Sequence, residues 1–222
     1  MFTKVLIAED IDFNDIAVVQ VLQELNVPEI EYAKYCDDAL LKIKKGLLDN
    51  QPYQLLITDL SFKPDHRETN LNSGEELITA VKLLFPEIKI IAFSIEDKAY
   101  RIKSLFDKYN INGFVMKGRN SIPELKKAIQ NTFDTDKKYL PQELNYILQD
   151  KTTNEIDNYD IQLIKYLSIG VSQDSMEAKF KEVGITPNSK STIEKRINKL
   201  KVYFKANNPT HLVAIAKDLG LI

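Results

Sequence analysis

Four apolar runs within the first 117 residues end in groups that could do chemistry. Glu9 and Asp10 follow the first run, Asp59 ends another, and Ser94 and Lys117 follow two later ones. Three carboxylates brought close together repel one another unless a cation joins them. Mg²⁺ suits such a set, because it takes oxygen ligands and usually keeps waters beside one or two protein carboxylates. The ammonium group of Lys117 and the hydroxyl of Ser94 would donate to phosphoryl oxygens. Asp59 would then be free to act as the nucleophile.

The elements that must position these groups alternate in type. Strand-like apolar runs cover residues 5–8, 30–33, 55–59, 88–93 and 113–116, and each is followed by a segment with helical periodicity. Asp37 is a plausible N-cap of the second helix, and Ser121 with Glu124 forms a capping-box pattern before the fifth. The alternation predicts an α/β fold with a five-stranded, doubly wound parallel sheet. Ligands of such sheets bind beyond the carboxyl ends of the strands, where the groups above are found.

No strand pattern returns in the last third of the chain. Apolar spacing predicts four helices there, with Gly170 ending the first and Ser191 opening the third. We therefore predict an α/β domain at 1–133, a polar linker at 134–154 and a small all-helical domain at 155–222.

Composition excludes several classes of protein. With 44% hydrophobic and 28% charged residues the chain is typical of a globular protein. A single cysteine excludes an internal disulfide, and two distant histidines leave no zinc-type cluster. The apolar run between Lys4 and Glu9 is too short for a signal-peptide core, and no stretch approaches membrane-spanning length. We expect a cytoplasmic protein that does not enter a membrane.

The ordered set at the strand ends resembles the receiver domain of bacterial two-component response regulators, over roughly the first 130 residues. The resemblance implies a flavodoxin-like fold and Mg²⁺-dependent phosphorylation of Asp59 by a sensor histidine kinase or a small phosphodonor. Mg²⁺ would be held by Glu9, Asp10, Asp59 and the backbone carbonyl of Ser61. Phosphate contact and switching would fall to Ser94, Lys117 and Phe114. Enzymatic activity is expected to extend no further than self-phosphorylation and slow self-dephosphorylation.

The helix predicted from Ser191 has a basic outer face. Between residues 190 and 205 there are six basic residues and one acid, and residues 155–222 carry ten Lys and Arg against eight Asp and Glu. This region resembles the helix-turn-helix domain of the LuxR/NarL type, which implies a recognition helix in the major groove of promoter DNA. Lys195 and Asn198 are candidates for base edges. The other candidate DNA contacts are Ser191, Thr192, Glu194, Lys199 and Lys201.

Together the two resemblances predict a transcription regulator whose DNA binding and homodimerisation respond to phosphorylation. One alternative keeps the receiver but gives the tail a protein partner, with Glu194 and the long turn before Lys190 serving that partner. A second alternative, a phosphatase of the haloacid-dehalogenase type, needs an acid two residues after the nucleophile, where this chain has Ser61.

The segment 61–72 is longer than the usual receiver loop and borders the predicted pocket, so it could cover the site, contact the kinase or be a surface loop.

Overall fold

The computed structural model describes residues 1–63, 66–149 and 156–222. The chain forms two compact units, one of residues 1–97 and 102–146 and the other of residues 98–101 and 147–222. The last residues of the predicted linker, 150–154, and the predicted start of the tail domain at 155 lie outside the described residues.

A five-stranded parallel sheet is the centre of the first unit. Its strands are β1 (Lys4–Ala8), β2 (Glu29–Ala33), β3 (Leu55–Thr58), β4 (Lys89–Ser94) and β5 (Gly113–Met116), in the order β2-β1-β3-β4-β5. Ala8 pairs with Thr58, so β1 and β3 end level, whereas β4 continues from Ala92, the partner of Thr58, to Ser94. The chain order reverses beside β1, and the predicted α/β fold is confirmed.

Helices cover both faces of the sheet, and alternate strand residues are therefore buried on opposite sides. These helices are α1 (Asp12–Glu24), α2 (Cys36–Leu48), α3 (Gly74–Leu84), α4 (Ala99–Asp107) and α5 (Ser121–Asp134). Val5, Ile7 and Ile57 pack with residues of α1 and α5 in one apolar cluster. Leu6 and Leu56 point the other way and are also fully buried. Burial on both faces explains why these strands are continuous apolar runs.

Two predicted helix caps are wrong. Tyr35, and not Asp37, occupies the N-cap position of α2, and Asp37 lies in the first helical turn. At α5 the N-cap residue is Asn120, which makes no side-chain capping bond, so the capping box predicted from Ser121 and Glu124 is absent. Glu124 instead accepts hydrogen bonds from the side chains of Lys127 and Tyr139. In both places the carboxylate has a tertiary or helix-surface partner and makes no capping bond.

Part of the predicted linker is packed into the first unit. The N–H group of Phe114 donates to the carbonyl of Tyr139 (3.0 Å), and the N–H group of Tyr139 donates to the carbonyl of Asn112 (2.8 Å). Tyr139 thereby forms a parallel bridge with Gly113 at the edge of β5. A short 3₁₀ turn at Gln142–Leu144 and the helix α6 (Tyr146–Gln149) follow.

The second unit is helical, as predicted. Its main helices are α7 (Asn158–Ser168), α8 (Gln173–Glu182), α9 (Lys190–Tyr203) and α10 (Pro209–Asp218). Leu163, Met176, Phe180, Ile197 and Leu212 are among the side chains that form its apolar core. Within the described ranges of the whole chain, every helix is too short or too polar to cross a membrane.

Candidate functional site

Three carboxylates meet at the carboxyl edge of the sheet. Glu9 and Asp10 follow β1, and Asp59 follows β3, the strand beside it. One carboxylate oxygen from each lies within 4.8 Å of those of the other two. Glu9 is 2% exposed and Asp59 5% exposed, whereas Asp10 is partly exposed. The structure therefore brings together the predicted acidic set in a site that is open on the side of Asp10.

Lys117 enters this cluster from the end of β5. Its Nζ donates to Glu9 Oε2 (2.5 Å) and to Asp59 Oδ2 (2.6 Å). The backbone N–H of Lys117 donates to the carbonyl of Ser94 (2.8 Å), which fixes the end of β5 against β4. One ammonium group thus compensates two buried carboxylates, which would be costly to bury unpaired.

Backbone groups fix the side chain of Asp59. Its Oδ1 accepts hydrogen bonds from the N–H groups of Leu60 (2.6 Å) and Ser61 (3.4 Å), while Oδ2 faces Lys117. Gly74, at the start of α3, passes so close that a Cβ atom there would be 2.0 Å from the carbonyl oxygen of Asp59. Gly74 was not among the residues predicted from the sequence. The feature that could have identified it is its position at the end of the polar segment that follows Asp59.

Ser94 ends β4 beside this cluster and is 1% exposed. Among the described residues its hydroxyl oxygen has no hydrogen-bond partner. A buried hydroxyl without a partner is unusual, and it leaves Ser94 able to donate to an oxygen atom that enters the site. Phe114 is fully buried within β5, paired in register with Ala92. Ser61 forms an isolated bridge with Ser73, and the roles assigned to Ser61 and Phe114 stay predictions.

The donor set fits Mg²⁺ on chemical grounds. Glu9, Asp10 and Asp59 offer hard oxygen ligands within reach of one another, and Lys117 supplies one positive charge against three negative ones. A divalent cation would offset the remaining charge, and the partly exposed side at Asp10 leaves room for the waters that Mg²⁺ retains.

The predicted recognition helix corresponds to α9, whose N-cap is Ser189. Ile193, Ile197 and Leu200 are buried in the tail core, as its amphipathic pattern predicted. The candidate DNA contacts lie on the remaining surface. Ser191, Lys195, Asn198 and Lys199 are exposed, and Thr192, Glu194 and Lys201 are partly exposed.

Two basic residues of this segment have internal partners that the sequence did not reveal. Arg196 donates through Nε and Nη2 to Asp160, which is 1% exposed, and through Nη2 to Asp157 (2.5 Å). These carboxylates raise the pKa of the guanidinium further. Lys190 pairs with Asp174 at 2.6 Å. The basic surface of α9 therefore depends on fewer residues than its composition suggests.

Comparisons with known proteins show the fold. No protein-family model and no curated protein matches the chain. Among solved structures, the RcsB response regulator of Salmonella typhimurium matches with a TM-score of 0.67 at 19% identity, over 97% of this chain and 99% of that one. RcsB in a complex with DNA matches with a TM-score of 0.63 at 18% identity, over 98% of each chain. The isolated REC domain of RcsB with the phosphomimetic BeF₃⁻ matches with a TM-score of 0.52 at 23% identity, over 66% of this chain and 98% of that one. The chain thus has the receiver fold followed by a helical tail like that of RcsB.

Proposed function

We propose that this chain is a two-component response regulator whose phosphorylation on Asp59 controls DNA binding and transcription. The observation that carries the proposal is the cluster of Glu9, Asp10 and Asp59, with Lys117 contacting two of the three carboxylates. The likeness to full-length RcsB supports the combination of receiver and DNA-binding tail. Activity would be limited to Mg²⁺-dependent self-phosphorylation and slow self-dephosphorylation.

Asp59 is suited to act as the nucleophile. A carboxylate oxygen attacks the phosphorus of the donor, the bond from phosphorus to the leaving group breaks, and that group departs with the bonding electrons. Mg²⁺ held by Glu9, Asp10, Asp59 and the Ser61 carbonyl would supply positive charge for the phosphoryl oxygens. The N–H groups that hold Asp59 Oδ1 leave Oδ2, beside Lys117, as the oxygen that reacts.

Lys117 and Ser94 would then stabilise the product. The ammonium group already lies beside Asp59 Oδ2, and the unpartnered Ser94 hydroxyl can donate to a phosphoryl oxygen. Movement of Ser94 and Phe114 would shift the population between two packed states of the α4-β5-α5 surface. That shift would favour a homodimer whose tails bind promoter DNA, and a solved structure of RcsB dimers bound to DNA supports this arrangement.

Intact-mass measurement tests the receiver half of the proposal. The chain is incubated with Mg²⁺ and a small phosphodonor, or with a histidine kinase that uses ATP. We expect a gain of one phosphoryl group that alkali removes, present in wild type and absent in Asp59→Asn. Asp49→Asn, which changes an exposed aspartate at the end of α2, is the matched control and should still be phosphorylated. An adduct that persists in Asp59→Asn would contradict the assignment.

A salt series tests the tail. The affinity for duplex DNA should fall as salt rises, with a log–log slope of about −0.9 for each phosphate contact. Replacing Lys199 and Lys201 by alanine should make the slope shallower by about 2, whereas Ala in place of Lys165, an exposed residue of α7, should not change it. Identical slopes for wild type and the double variant would instead favour the protein-binding alternative for the tail.

A further inference from the structure

The segment after β3 is fastened to the first turn of α2. Arg67 donates through Nη1 and Nη2 to the two carboxylate oxygens of Asp38, at 2.9 and 2.7 Å. Its guanidinium lies over the ring of Tyr35, 4.4 Å from the centroid. A second attachment is adjacent, because the N–H group of Asn70 donates to Asp37 Oδ2 (2.7 Å). The resemblance to receivers accounts for none of these contacts.

Lys63, which precedes Arg67 in the chain, contacts the acidic cluster. The backbone N–H of Lys63 donates to Asp10 Oδ2 at 2.9 Å. Asp10 is the member of the cluster with the most solvent exposure, and Lys117 holds the other two carboxylates but not this one. Among the contacts between described residues, the hydrogen bond from Lys63 N–H is the one that orients the Asp10 carboxylate.

We propose that Arg67 is a positioning residue for the metal site: its ion pair with Asp38 holds the segment so that Lys63 N–H orients Asp10. This inference rests on the proposed function, because it assumes that Asp10 is a metal ligand. Hydrogen bonds to a ligating carboxylate fix its orientation, and their loss commonly lowers metal affinity. Arg67 acts only through Asp38 and Lys63, so it touches neither the metal nor the phosphoryl group.

Arginine suits this position better than lysine for geometric reasons. Only a planar guanidinium can make two parallel bonds to Asp38 and lie flat on Tyr35 at the same time. A lysine would keep the charge and lose both features. The side chains of Arg67 and Asp38 are 41% and 38% exposed, so the effect of breaking the pair is modest.

Metal affinity tests the inference without relying on phosphorylation. Free Mn²⁺ is measured by electron paramagnetic resonance during titration of the full chain, well below its unfolding temperature. We expect Arg67→Ala and Asp38→Ala each to weaken binding about fivefold, and Arg67→Lys nearly as much. The double variant should be no weaker than either single variant, because both remove one pair. Lys126→Ala, which breaks a similarly exposed pair with Glu24, should leave the affinity unchanged.

Hydrogen exchange supplies a second readout. The amide proton of Lys63 should exchange faster in Arg67→Ala than in wild type, since the hydrogen bond to Asp10 is released. Wild-type affinity in both Arg67 variants would overturn this inference and leave the proposed function intact. Additive losses in the double variant would also overturn it, because Arg67 would then not act through Asp38. A wild-type chain that binds no divalent ion would instead overturn the proposed metal site itself.

Discussion

Replacing Arg196 by methionine would leave Asp160 buried without its cation. Asp160 is 1% exposed and accepts two bonds from the Arg196 guanidinium, through Nε and Nη2. Of its hydrogen bonds to described residues, the variant keeps the one from the N–H group of Asp157, at 3.1 Å. Removing one partner of a buried ion pair costs about 3–5 kcal/mol. Because Arg196 is itself 25% exposed and one bond to Asp160 survives, we expect the lower end, about 3 kcal/mol.

A loss of this size is large for the tail. A helical unit this small has a total stability of about 5 kcal/mol, so the variant would be marginally folded. Hydrogen exchange of the full chain, followed by mass spectrometry, separates peptides of α7–α10 from those of the sheet. The slowest tail amides should exchange about a hundredfold faster in Arg196→Met, and the sheet peptides should be unchanged.

Two companion variants define the cause. Adding Asp160→Asn to Arg196→Met should restore part of the protection, because the buried group is then uncharged. Lys199→Met removes an exposed charge from the same helix and should change the stability by less than about 0.5 kcal/mol. If Arg196→Met were as harmless as Lys199→Met, the ion pair between Arg196 and Asp160 would not be what stabilises the tail, and this reasoning would be refuted.

Two further outcomes follow from the surroundings of Asp59. Gly74→Ala should destabilise the first unit by about 2–3 kcal/mol and slow phosphorylation, because the added Cβ atom would collide with the Asp59 carbonyl. Thermal unfolding measures the loss of stability. Gly118→Ala is the control, because a Cβ atom there meets nothing within 4 Å. Burial and the nearby acids raise the pKa of the Cys36 thiol to about 12, so it stays protonated at pH 8. Iodoacetamide should label Cys36 rapidly in urea and very slowly in the native chain, and equal rates would contradict this.

The sequence predicts the sheet and its acidic edge well for a physical reason. Runs such as Leu55–Thr58 are apolar because parallel strands are buried on both faces, so each strand is visible as a run. Parallel strands also bring their carboxyl ends to one edge, so a polar residue after a run can be placed without knowledge of distant contacts. Asp59 and Lys117 are 58 residues apart, yet this rule places them together.

Contacts that depend on the packing of separate helices could not be predicted in this way. The periodicity of α9 identifies Ile193 and Ile197 as inward, and both are buried. The same pattern gives no sign that the guanidinium of Arg196 reaches the acids of α7. A long side chain at the boundary of an amphipathic face can turn to either side, and its partner decides which.

The wrong cap at α2 and the unexplained length of the segment after Asp59 have a common cause. Asp37 and Asp38 are acids at the start of a helix, which in sequence indicates capping. In the structure Asp37 accepts from Asn70 and Asp38 from Arg67, so both carboxylates are occupied by the segment 66–72. That segment must therefore be long enough to reach α2 while Lys63 remains beside Asp10. Shortening it would free the two acids for capping and would remove the backbone donor from the candidate metal ligand.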